Sequence, residues 1–205
     1  AMIQARRCTT APTIDGDFAD WPTGGAIAMP SRLIDLPAFG QDRERFPATP
    51  TWRGEDDLSA TLRLAWDEAH LYLGLEVRDD DLDPAAADIG RGAYAADSVQ
   101  LYFDGWADAR TRTRPGHDFN DQSFTAWLGD GTAPQVWRDF APDQQVAFLK
   151  TGTVKAAVCA FRKTATGWTC ELALPTEELK PLLLTAGGVF GFAHGHDYRL
   201  QQPQL

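Results

Sequence analysis

The longest alternation of apolar and polar residues runs from Leu58 to Asp83, LSATLRLAWDEAHLYLGLEVRDDDLD. In its first half Leu58, Ala60, Leu62, Leu64 and Trp66 share one side, and Ser59, Thr61, Arg63 and Ala65 the other. In its second half Leu71, Leu73, Leu75 and Val77 alternate with Tyr72, Gly74, Glu76 and Arg78. A period of two predicts half-buried antiparallel strands, and Asp67-Glu68-Ala69-His70 makes a hairpin connection between them. The same period marks DSVQLYFDG, where Val99, Leu101 and Phe103 oppose Ser98, Gln100, Tyr102 and Asp104, ahead of an Asp104-Gly105 turn signal. Further strands are predicted over Gln122 to Leu128, around Gln135 to Trp137, over Thr153 to Phe161 and over Gly167 to Leu174. Pro175 closes the last of these, and Thr176-Glu177-Glu178-Leu179 predicts one short helix. A Gly-rich strand ends in GFAHGHD.

Between these regular stretches, residues 23–57 are rich in Pro, Gly and charge and keep no period, which predicts a long irregular excursion with one short strand at Ala26 to Met29. Ahead of it, IDGDFADW reads as a structured turn with Trp21 as a buried plug. Many short strands, regular turn signals and a single helix predict an all-β fold. The expected architecture is an antiparallel β-sandwich of jelly-roll type, one domain over residues 1–205.

Charge narrows the class of partner. With 29 acidic against 19 basic residues the net charge is −10, and phosphate backbones are bound by basic surfaces, so no nucleic-acid partner is expected. No apolar run reaches membrane-spanning length, so no membrane insertion is expected either, and the start AMIQARRCTT holds no apolar leader core. Three cysteines are too few for a disulfide scaffold. Cys159 and Cys170 fall in two strands joined by a short turn and are read as small buried residues in preference to a bonded pair.

Candidate chemistry lies in aromatic and acidic residues. Seven tryptophans are many for this length, and an aromatic face can stack on the apolar face of a sugar ring. Trp52, Tyr94, Trp106 and Trp137 fall in loops or at strand edges and are candidates for stacking, whereas Trp21, Trp66 and Trp168 fit the apolar side of their patterns. Arg63 and Glu76, with Gln100 and Tyr102, are candidates for a hydrogen-bonding floor, or else part of a plain solvated sheet face. The aspartates at 79, 81, 97 and 197 stand either as solvated turn residues or as oxygen ligands gathered around calcium. His194 and His196, two apart on an extended strand, share one face without an identifiable third ligand. No GxSxG, HExxH, Walker-type or dinucleotide signature occurs, so no catalytic residue is assigned and Glu171 is expected to face solvent.

The order IDGDFADW, LAWDEAHLYLGLEVRDDDL, Tyr94, DSVQLYFDG, TGWTCELALP and VFGFAHGHD resembles the family 9 carbohydrate-binding modules from about Ile14 to Asp197. The resemblance implies a jelly-roll sandwich with structural calcium that recognises neutral sugars or polysaccharide ends. It also implies a non-catalytic module, secreted or periplasmic, attached to a glycoside hydrolase or another catalytic partner. On this pattern Tyr94 stands where a clamping tryptophan is usual, Gln100 where a glutamate contacts sugar hydroxyls, and Thr125 near the place of a basic residue. On the same pattern the second clamping aromatic is expected from a segment after Asp197, where the given sequence ends at RLQQPQL. Related sandwiches of the DOMON type bind heme for electron transfer. That alternative stands beside an accessory or interaction domain that has lost its sugar site.

Overall fold

Backbone pairing follows the alternation closely. The computed structural model describes residues 3–29, 54–56, 58–79, 92–93, 97–108, 117–129 and 133–197, with backbone alone at Met29 and at 194–197. The first sheet contains β1 (Arg6–Arg7), β2 (Ile27–Met29), β3 (Leu58–Trp66), β4 (His70–Asp79), β9 (Val158–Lys163) and β10 (Gly167–Pro175). Its order is β1-β3-β4-β10-β9, with β2 also paired to β3. The second contains β5 (Ser98–Asp104), β6 (Asp121–Gly129), β7 (Ala133–Phe140), β8 (Gly152–Thr153) and β11 (Gly191–Asp197), in the order β11-β5-β6-β7-β8. All pairings are antiparallel except the short β1–β3 contact. The expected sandwich is thus the observed one, and its helix is a single 3-10 turn at Thr176–Leu179.

The predicted hairpin registers Leu62 against Leu75 and Leu64 against Leu73. These side chains face Val99, Leu101, Phe103, Phe124, Ala126 and Val136 of the second sheet in one continuous core. Each fully buried leucine or phenylalanine contributes about 1.5–3 kcal/mol by leaving water. At one end of this core Arg138 is buried but fully engaged. It donates to Gln122 Oε1, Lys150 O, Glu178 O and Glu178 Oε2, and lies over the Phe124 ring. A buried cation requires such a set of partners, and here it ties the 3-10 turn to the second sheet.

The outer side of the first sheet is sealed by the N-terminal arm. Ile14, Phe18 and Trp21 pack on Ala65, Tyr72 and Ala173, as the plug expected at Trp21 requires. Glu171, expected to face solvent, is 0% exposed. The N–H groups of Asp15 and Gly16 donate to its Oε2 at 2.7 and 2.5 Å, and Trp21 Nε1 donates to its Oε1 at 2.5 Å. Burial pushes the Glu171 carboxyl above its ordinary range, while these three donors pull it back. Gly74 is the complement beneath the plug: a Cβ there would come within 2.6 Å of Phe18 Cε1 and 3.1 Å of Trp21 Cη2. The arm is fastened at its start as well, because Cys8 N–H donates to Trp66 O. Cys159 pairs with Leu172 and Cys170 with Phe161, so the two cysteines are diagonal neighbours, and both are free thiols. Their thiols still meet, and burial first, then the contact with Cys159, pushes the Cys170 thiol well above its ordinary range.

Candidate functional site

The outer side of the second sheet carries the polar half of each alternation. Because its strands are in register, the outward positions form rows across the sheet. One row holds Ser98, Trp127 and Gln135; the next holds Gly195, Gln100, Thr125 and Trp137. A third holds Ala193, Tyr102, Ser123 and Phe140, and the last holds Gly191, Asp104 and Asp121. A bulge between Ser123 and Phe124 shifts the β7 register there, so that Asp139 is set between the Trp137 and Phe140 positions.

In the second and third rows side chains orient one another. Tyr102 OH donates to Gln100 Oε1 at 2.6 Å, and Thr125 Oγ1 donates to Asp139 Oδ2 at 2.7 Å. The first bond fixes which end of the Gln100 amide meets the tyrosine. His117 lies between two rings, stacked with Tyr102 at 5.9 Å and with Phe140 at 4.6 Å between centroids. Gln100, Tyr102, Trp137 and Asp139 are half-buried, and Thr125 is buried beside them. The arrangement offers flat aromatic surface next to amide, hydroxyl and carboxylate groups held in place.

Two expected candidates, Gln100 and Tyr102, are therefore brought together, with Trp137 two strands away in the Gln100 row. Thr125, noted as the residue standing near the place of a basic one, is directly opposite Gln100. Trp106 lies apart, in the turn after β5. Tyr94, Trp52 and Asp81 lie outside the described residues. Arg63 and Glu76 do not share a floor with Gln100 and Tyr102, because they belong to the first sheet, whose inner face is packed against that of the second. Asp139, His117, Phe140 and Ser123 had not been singled out. Extending the Gln135, Trp137 alternation by one step would have reached Asp139.

Of the acidic candidates, Asp79 ends β4 and Asp97 immediately precedes β5; both carboxylates are buried. Asp197 is opposite Ser98 in the backbone register. Ser98 Oγ and Trp127 Nε1, directly opposite each other on β5 and β6, are buried with no hydrogen-bond partner. Among the described side chains no three His, Cys, Asp or Glu converge to hold a metal ion. His194 and His196 pair in register with Leu101 and Val99.

Residues 41–195 match the family model described as carbohydrate family 9 binding domain-like. No curated protein matches the chain. Among solved structures, one titled as a family 9 carbohydrate-binding module from Caldicellulosiruptor kristjanssonii in complex with cellotriose superposes with a TM-score of 0.58 at 16% identity, over 97% of this chain and 78% of that one. A second, from the same organism and titled as a complex with glucose, gives 0.55 at 16% identity, over 96% and 80%. At this identity the superpositions establish a common fold.

Proposed function

From the premise that the chain belongs to the carbohydrate family 9 binding domain-like family, we propose that it is a non-catalytic module binding neutral sugars or polysaccharide ends on the outer side of its second sheet. The observation that carries this reading is the row Gln100, Thr125 and Trp137, flanked by Tyr102 and Asp139. A pyranose ring has an apolar face suited to an indole or phenol and equatorial hydroxyls suited to planar amides and carboxylates. Preset side-chain hydrogen bonds reduce the ordering cost when such a ligand docks. The net charge of −10 supports a neutral ligand over an anionic one. The two solved relatives, complexes with cellotriose and with glucose, make those sugars the first ligands to try.

Structural calcium is part of the same proposal. The donor chemistry fits: Asp79 and Asp97 are buried carboxylates, and beside Asp97 the Ser98 hydroxyl is a buried oxygen without a partner. With Asp81 and Asp197 these would supply the oxygen ligands calcium prefers. Secretion and attachment to a glycoside hydrolase or another catalytic partner complete the reading.

A glycan-binding screen with and without a chelator tests it. The expected result is retention on a neutral glucan and a melting temperature that falls when calcium is removed. Failure to bind any neutral glycan with calcium present overturns the sugar reading, and a melting temperature indifferent to chelator overturns the metal.

A further inference from the structure

Beyond the last row of the second sheet, the turn after β5 and the turn before β6 each present a large aromatic ring to solvent. Trp106 is 52% exposed and Phe119 47%, and they meet edge to face with centroids 5.1 Å apart. Exposed aromatics in a slack loop would carry little meaning, but these are held. Trp106 N–H donates to both Asp104 Oδ1 and Asn120 Oδ1, at 3.2 and 3.1 Å. The Asn120 amide, wholly buried, donates to Asp118 Oδ1 and Asp108 Oδ2. On the far side, Phe119 O accepts from Asp143 N–H. The residue after the tryptophan, Ala107, has φ of 54°, a left-handed conformation that costs a non-glycine residue energy and is kept where neighbours over-determine it. Strain and buried polar support are thus concentrated under a ring pair that no core requires.

We propose that the Trp106–Phe119 pair is a second sugar-contact point, which extends the Gln100–Tyr102 site into a track for an extended neutral polysaccharide chain. The inference rests on the carbohydrate-binding reading given above. Gln100 and Asp104 are four residue steps apart on β5, about 13 Å of strand, and Trp106 lies just beyond, within reach of one multi-sugar chain. Two ring surfaces suit successive pyranose faces, and the polar groups beside them suit hydroxyls.

The test compares cellotriose, by titration calorimetry, with soluble hydroxyethylcellulose, by retardation in native gels, for wild type, Trp106→Ala, Phe119→Ala and Trp106→Tyr. Wild type is expected to bind both probes. The two alanine variants should bind the polymer at least about fivefold more weakly while keeping cellotriose affinity and melting temperature. Trp106→Tyr, which keeps a ring, should recover most of the loss. Polymer binding unchanged in both alanine variants, or equal loss for both probes, overturns the track while leaving the module a sugar binder. A wild type that binds neither probe overturns the track together with the reading beneath it.

Discussion

The two sheets share one core yet treat their outer sides in opposite ways. On the first sheet the N-terminal arm closes the surface: Phe18 and Trp21 lie over Gly74, and Glu171 receives three hydrogen bonds from the arm. On the second, the corresponding positions keep amide, hydroxyl and ring groups that contact one another, such as Tyr102 with Gln100 and Thr125 with Asp139. Both surfaces hold polar groups, so polarity alone does not tell them apart. What separates them is the partner: the Glu171 carboxylate of the sealed face is bonded to the arm that covers it, whereas on the other face the bonds run between neighbouring side chains of the same sheet, with Gln100, Tyr102, Trp137 and Asp139 half-buried.

Substitutions at the sealed face should act on stability. Removing the Glu171 carboxyl strands two buried donors, Gly16 N–H and Trp21 Nε1, and the part-buried Asp15 N–H, at a cost of about 1–3 kcal/mol for each buried donor left unsatisfied. Glu171→Ala is accordingly expected to lower unfolding free energy by ~3 kcal/mol or more, read by urea titration. Glu171→Gln should cost less, since its carbonyl still accepts, though its NH2 must face another donor. Gly74→Val forces a methyl-bearing carbon into Phe18 and Trp21, and a loss of about 1–3 kcal/mol is expected in the same assay. Neither change should alter sugar affinity of the folded protein by more than about twofold, because additivity holds for separated sites. A large affinity loss in folded Gly74→Val would break the division between the faces.

At the other face the pattern should reverse. Gln100→Ala is expected to weaken glucan binding by about tenfold, roughly 1.4 kcal/mol, while unfolding free energy changes by less than about 1 kcal/mol; Trp137→Ala should weaken binding comparably but also lower unfolding free energy by about 1–3 kcal/mol, because its indole packs on Ala93 and Trp127. Calorimetry and urea titration on the same samples separate the two effects.

The smallest expected signal is the pH dependence of stability. Burial first, against the three donors, sets the Glu171 pKa above its ordinary 4.5. The native state therefore binds this proton more tightly than the unfolded chain. Its contribution is fully present below about 4.5 and is lost as pH rises through the raised value. Asp67 carries the opposite sign: burial works against its charge, but the Tyr72 hydroxyl and the Ala69 and His70 N–H groups outweigh it and hold the carboxyl below 3.8. That contribution is present above 3.8 and is lost as pH falls. Melting temperature followed across acid to neutral pH should lose its decline toward neutrality in Glu171→Gln and its acid-side decline in Asp67→Asn.

Much of the fold was legible because period-two alternation is local. Leu58 to Trp66 and Ser98 to Asp104 are strands with the expected residues inward. Alternation does not say which sheet a strand joins, however. Thr153 to Phe161, read as one strand, divides into Gly152–Thr153 in the second sheet and Val158–Lys163 in the first. Glu171 was misread for a related reason: a glutamate between apolar neighbours looks solvated until a segment 150 or more residues away covers it. In the candidate site, Gln100 and Tyr102 were accessible from one strand's pattern. Asp139 needed only the Gln135, Trp137 alternation carried one step further, whereas His117 was not accessible, since a loop brings it to the same rows.

The division between the faces is tested most directly by backbone amide shifts during a cellotriose titration. Shifts confined to strands β5, β6 and β7, strongest near Gln100, Thr125 and Trp137, are the expected result. Shifts centred on Arg63, Glu76 and Arg78 of the first sheet, or none at saturating sugar, would contradict the account.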